Sequence, residues 1–211
     1  MIWEAVFLPF FEFGFMRRAL LGCIAISIGA TPVGVFLMLR RMSLTGDAMA
    51  HAILPGAAIG FLIAGLSLGA MTIGGLLAGM AVALLSGFVT RVTILREDAS
   101  LAAFYLISLA IGVLIVSTRG SNVDLMHVLF GTVLALDNAA LILLCSISSL
   151  SLFILAIVFR PLVLECADPQ FLRSVSGLSA LTHFTFLTLV VLNLVGGFHA
   201  LGTLMAVGIM I

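Results

Sequence analysis

A chain of 211 residues, 63% hydrophobic and 9% charged, with nine basic residues balancing nine acidic ones, excludes an ordinary soluble domain. Its mean hydropathy of +1.37 assigns it to a membrane. All the basic residues are arginine and most cluster between apolar runs, which leaves no basic face for a nucleic-acid partner. Cys23, Cys145 and Cys166 are far apart and form no C-x-x-C, so they indicate packing rather than a disulfide framework or a thiolate zinc site.

In chain order, residues 1–16 carry Trp3, Phe7, Phe10, Phe11, Phe13 and Phe15, an apolar segment suited to lie outside the membrane or along its surface. Arg17-Arg18 and Arg40-Arg41 then bracket 19–39, a run long enough to cross the hydrocarbon as a helix. It is too long for a secretory signal and lacks a small-residue cleavage pattern. Further spans fall near 48–66, 68–90, 99–118, 136–159 and 178–197, and a seventh begins near Leu201 and is cut off at Ile211. The apolar runs are continuous rather than alternating, so they predict helices and not barrel strands. The fold class is therefore all-α: one polytopic transmembrane helical bundle over 1–211, with six complete spans and a truncated seventh. Placing the 40–45, 91–98 and 160–177 loops in the cytoplasm puts Arg40, Arg41, Arg91, Arg96, Arg160 and Arg173 inside, against Arg17, Arg18 and Arg119 outside.

Three G-x-x-x-G pairs, Gly56/Gly60, Gly65/Gly69 and Gly75/Gly79, mark close helix packing without identifying a dimer interface. Between them and the first span lies the most informative stretch. Asp47 and His51 are four residues apart at the start of a span, so one helical face presents both. Ionisable groups in a membrane cost roughly 2.5–3.5 kcal/mol each and mark a wet path or a protein interior. Carboxylate with imidazole suits zinc, manganese or ferrous iron. Two ligands are too few for a closed structural site, whereas a transported ion must leave as readily as it enters. Pro55 should loosen the helix by leaving the carbonyl of His51 without its usual donor. Asp47 as a helix cap, with His51 bonded to a backbone carbonyl, fits the spacing equally well.

Other polar groups carry less. Asp124 and His127 sit in a short interruption between spans, where solvation or an outer mouth explains them. His199 is a candidate path-lining residue, and His183 reads as a cross-helix hydrogen bonder beside Thr182 and Thr185. The sequence does not place the depth of His127, His183 or His199. In the loop 160–177, Asp168 caps a short amphipathic helix with Pro169 at its first position, and Gly177 closes it in a left-handed turn. That helix serves as a docking element for a soluble partner or as a plain connection.

L-R-R-M-S-L-T-G-D-A-M-A-H-A-I-L-P-G at 39–56, R-E-D-A-S at 96–100, L-F-G-T-V-L at 129–134, A-D-P-Q-F-L-R-S-V-S-G at 167–177 and A-L-G-T-L-M-A-V-G-I-M-I at 200–211 resemble the permease subunits of bacterial zinc and manganese ABC importers. The resemblance implies a subunit of the bacterial cytoplasmic membrane that is no enzyme itself and binds no permanent cofactor. Its cargo is zinc or manganese, with iron as a third fit. Its implied partners are a second permease copy, a cytoplasmic ATPase that consumes the ATP, an extracellular metal-binding protein and lipid. By position, Asp47 and His51 match the acid and histidine of the pore, while Asp168, Pro169, Leu172, Arg173 and Gly177 fall in the segment that docks on the ATPase. Leu172 stands where the family often has a small residue. Members continue past the point where this chain stops, so it reads as a fragment. The implied mechanism is alternating access driven by closure of the ATPases. A permease for iron chelates or cobalamin needs a wide path and no acid–histidine pair; an intramembrane hydrolase needs a third ligand or an H-E-x-x-H, and neither is evident.

Overall fold

A computed structural model describes residues 12–65, 67–119, 136–175 and 177–210. In it the chain folds into α1 (Gly14–Leu39), α2 (Ser43–Ala64), α3 (Leu68–Val92), α4 (Glu97–Arg119), α5 (Asn138–Ala167), the short α6 (Pro169–Val175) and α7 (Leu178–Met210). All but α6 are long and apolar enough to span a bilayer, and no strand occurs among the described residues. This is the all-α bundle that the apolar runs predict, because a helix satisfies its own backbone groups where no water can.

Four boundaries differ from expectation. Helix α1 starts at Gly14, so the end of the presumed interfacial segment is already helical; residues 1–11 lie outside the described set. The loop 40–45 shrinks to three residues, because Met42 and Thr45 are buried and draw the start of α2 back to Ser43. Helix α5 does not end near 159 but runs through Pro161 to Ala167, its far end anchored by Leu162, which is 0% exposed. Finally, Leu201 begins no new span: α7 is one helix of 33 residues that passes through Gly196-Gly197 unbroken. In apolar surroundings a break would orphan backbone groups. Gly196 serves packing instead, since a Cβ there would meet Ile147 of α5 at 3.2 Å.

Helix α7 is the axis of the bundle. It packs on α1, α2, α3 and α5, and Phe186, Leu187, Leu189, Val190 and Val191 along it are essentially inaccessible. Asn193, a buried polar residue midway along it, donates from Nδ2 to Ser151 Oγ at 2.6 Å and to its own helix at Leu189 O, so both amide hydrogens find acceptors without water. Helices α2 and α3 meet backbone to backbone: a Cβ on Gly56 would strike the Gly74 carbonyl, and one on Gly60 would strike that of Ala70. Gly75 and Gly79 admit Ile53 and Val191, whereas Gly65 and Gly69 meet nothing within 4 Å. Two of the three glycine pairs are thus packing seams, and Gly65 instead ends α2 with a φ of 65°.

Helix directions alternate, so the α1–α2 turn, the α3–α4 turn and α6 share one end of the bundle. At that end α1 closes with Met42 N donating to Leu37 O and Arg41 N donating to Met38 O, both at 3.0 Å. This paired closure needs a left-handed residue, and Arg41 supplies it with a φ of 58° where glycine is usual.

Candidate functional site

Asp47 and His51 lie on the second and third turns of α2. The cap position is Met42, so Asp47 is an interior helical residue and its reading as a cap falls away. His51 Nε2 stands 3.6 Å from Asp47 Oδ1, with the side chains 29% and 55% exposed. At that distance the two atoms attract but do not hydrogen bond. An ion about 2.1 Å from each atom would subtend a ligand–metal–ligand angle of about 120°, near the tetrahedral angle and wider than the right angle of an octahedral site.

Three contacts with α4 hold this face of α2 in place. The His51 ring stacks on Tyr105 with centroids 6.1 Å apart. Ser108 Oγ donates to Ala52 O at 3.2 Å. Gly112 lets Pro55 approach so closely that a Cβ there would meet Pro55 Cγ at 2.8 Å. Tyr105, Ser108 and Gly112 recur at helical spacing, so α4 offers one continuous face. Pro55 stays inside α2 without ending it. His51 Nδ1 is buried and has no hydrogen-bond partner among the described residues, which leaves the ring tautomer free to suit a ligand on Nε2. Among the described residues no group of three or more His, Cys, Asp and Glu side chains converges, so Asp47 and His51 stand as a pair there. Outward from the pair, Leu44, Ile59, Leu62 and Ile63 continue an exposed stripe along α2.

The 160–177 segment takes the predicted cap. Asp168 Oδ1 accepts from the backbone N–H of Gln170 at 3.0 Å and of Phe171 at 2.9 Å. Leu172, at 4% exposure, pins α6 beneath α5 and α7, while Phe171 points outward at 52%. Pro169 and Arg173 are carried on α6, and their side chains lie outside the described ones. Gly177 joins α6 to α7 without the left-handed conformation expected of it, since Gly65 is the only described glycine with positive φ. Among the described residues nothing lies within 4 Å of a Cβ placed on Gly177. His199 is borne by α7 with its side chain outside the described set, and Asp124 and His127 fall in the undescribed 120–135.

Sequence reasoning missed a buried charged cluster at the α6 end. Arg40 Nη2 is 2.9 Å from His183 Nδ1 and 3.7 Å from Glu165 Oε1. His183 Nε2 is 3.1 Å from Glu97 Oε1. Ser179 Oγ donates to Glu165 Oε1 at 3.1 Å. His183 is thus the cross-helix hydrogen bonder the sequence suggests, here accepting from Arg40. The helix directions alone put Arg40, Glu97, Glu165 and His183 at one end of the bundle, which was the available signal; the contacts themselves are tertiary.

The model of the ABC 3 transport family matches residues 12–211. Among curated relatives, the manganese import system permease protein ScaB of Streptococcus parasanguinis is 32% identical over 200 residues, covering 95% of this chain and 70% of the relative. The manganese transport system membrane protein MntC of Halalkalibacterium halodurans is 31% identical over 201 residues, covering 95% and 68%. A probable iron transport system membrane protein of Haemophilus influenzae is 31% identical over 201 residues, covering 95% and 72%. Of solved structures, PsaBC from Streptococcus pneumoniae in complex with Fab superposes with a TM-score of 0.82 at 29% identity, covering all of this chain and 74% of that one.

Proposed function

The chain belongs to the ABC 3 transport family, and from that premise we infer how it handles its cargo. It is the membrane-spanning permease subunit of an ATP-driven metal-ion importer in a bacterial membrane, and ATP hydrolysis belongs to a partner subunit. The cargo is a bare divalent cation, manganese first. Asp47 and His51 are its transient ligands, and α6 is the contact through which the ATPase acts.

The observation that carries this reading is the Asp47–His51 pair, 3.6 Å apart on an exposed stripe of a transmembrane helix. A half-exposed carboxylate facing lipid is costly, so that stripe faces protein or water. A second copy related by a two-fold axis presents the same patch to the first and doubles the ligand set to two carboxylates and two imidazoles. Oxygen donors alongside imidazole suit manganese, and they also bind iron and zinc, so selectivity rests partly with the protein that delivers the ion. Manganese ranks first because it is the metal in the names of two of the relatives above. A chelate or cobalamin would gain nothing from two small ligands set one ion apart.

The test is manganese uptake into proteoliposomes holding the complete transporter, with Asp47→Asn and His51→Ala. Each variant should lose about tenfold or more in uptake, the scale of one removed ligand or charge contact. Wild-type rates in both would sink the assignment. Competition by zinc, ferrous iron and a ferric chelate in the same vesicles ranks the cargo, and inhibition by the chelate alone would favour the wider-path reading.

A further inference from the structure

We propose that Arg40, His183, Glu165 and Glu97 form a polar clasp that carries movement of α6 into the spans, acting as positioning residues that couple ATP hydrolysis to transport. The proposal rests on the transporter reading above.

The two ends of α6 are tied to each other before anything else. Asp168 follows Glu165 by three residues and Gly177 precedes Ser179 by two, so the 3.1 Å bond from Ser179 Oγ to Glu165 closes the segment at its base. From that base the charges lead away in order. Glu165, with a side chain 3% exposed, faces Arg40 at the end of α1. Arg40 reaches His183 on α7 and lies over the Phe186 ring, 5.0 Å from its centroid. His183 reaches Glu97 at the start of α4. A displacement of α6 therefore cannot leave α1, α4 and α7 undisturbed. Helix α4 carries the Tyr105, Ser108 and Gly112 face that holds His51 and Pro55.

The chemistry of each member has a direction. Arginine has donors only, so His183 Nδ1 must accept from it, which leaves the ring proton on Nε2 facing Glu97. The imidazole accepts from Arg40 and turns its N–H toward Glu97, 3.1 Å from Oε1, while Gly87 of α3 admits the neighbouring Phe184 ring, which a Cβ there would meet at 2.8 Å. Buried ion pairs add little net stability compared with apolar packing of the same volume, so stability alone is a weak reason for four charged or polar groups here. What they add is a choice of partners. Arg40 Nη1 and Glu165 Oε2 are buried with no hydrogen-bond partner among the described residues, so a small shift can re-pair the cluster. Discrete alternative pairings are what a two-state coupling element requires.

The experiment measures manganese taken up per ATP hydrolysed by the complete transporter in proteoliposomes. His183→Gln keeps one acceptor and one donor, and His183→Leu keeps the bulk alone. The glutamine variant should hold the wild-type ratio. The leucine variant should retain its ATPase through purification while its ratio falls by about tenfold, within the range of measured coupling energies. If both keep the wild-type ratio, or if both lose uptake and hydrolysis in proportion, the clasp is structural and the proposal fails. Should the leucine variant not assemble, Ser179→Ala decides, because it deletes one hydroxyl at the base of α6. A several-fold lower ratio supports the clasp and an unchanged one overturns it. Absence of uptake by the wild-type transporter would count against the transporter reading instead.

Discussion

At the scale of single residues, the sharpest constraint is the absence of a side chain at Gly56. A Cβ there collides with the Gly74 carbonyl, which belongs to a packed backbone and has no rotamer through which to withdraw. Gly56→Val should therefore cost about 1–3 kcal/mol, the usual range for overpacking, or force α2 and α3 apart. Gly69→Ala is the matched control, since that glycine meets nothing within 4 Å. Thermal unfolding of the purified complex should show a lowered midpoint for the first and no loss for the second. Equal midpoints would remove the α2–α3 seam as a source of stability. The two glycines look alike as members of G-x-x-x-G pairs, and only the neighbour opposite distinguishes them. Arg41 is the reverse case: a left-handed turn closed by a residue that carries no sign of it, because the buried Met42 beyond holds the chain in that path.

At the scale of elements, the existence and kind of each span were legible because apolar runs of bilayer length permit little else. Asp168 and Pro169 likewise announce α6 by local chemistry, and the cap forms as the residue types dictate. What stayed hidden was tertiary. The apolar run predicts an end near 197 and a new span from near Leu201, yet packing of Gly196 against Ile147 belongs to a continuous helix. The Arg40–His183 contact joins residues 143 apart in sequence, and no local pattern encodes it. The geometry of α6 also sharpens its test. Phe171 projects outward, and a side chain at Gly177 meets open space, so neither position is needed for the chain's own packing. Phe171→Glu and Gly177→Leu should leave the permease folded while reducing co-purification of the ATPase several-fold, as removal of an interface anchor does. Full retention in both would make α6 a mere connection.

At the scale of the whole molecule, alternating helix directions place the two short turns and α6 at one end, along with Arg40, Arg41 and Arg96. The last turns of α5 add Arg160, while Arg17, Arg18 and Arg119 mark the opposite end. Arginine retention on the cytoplasmic side puts the α6 end in the cytoplasm, which agrees with the ATPase contact proposed for α6. The Asp47–His51 pair, proposed above as the metal contact, then has a definite depth. His51 is eight residues into α2, about 12 Å from that end at 1.5 Å per residue, so an imported ion crosses the longer part of α2 before reaching it. The inverted orientation would reverse this, with the pair close to the outer mouth. Ile94, fully exposed in the α3–α4 turn, reports the difference. In a background with Cys23, Cys145 and Cys166 replaced by serine, Ile94→Cys should react with a membrane-impermeant maleimide in inside-out vesicles and resist it in right-side-out ones. The opposite pattern would invert the bundle, remove α6 from reach of a cytoplasmic ATPase and separate the clasp from the motor it is assigned to serve.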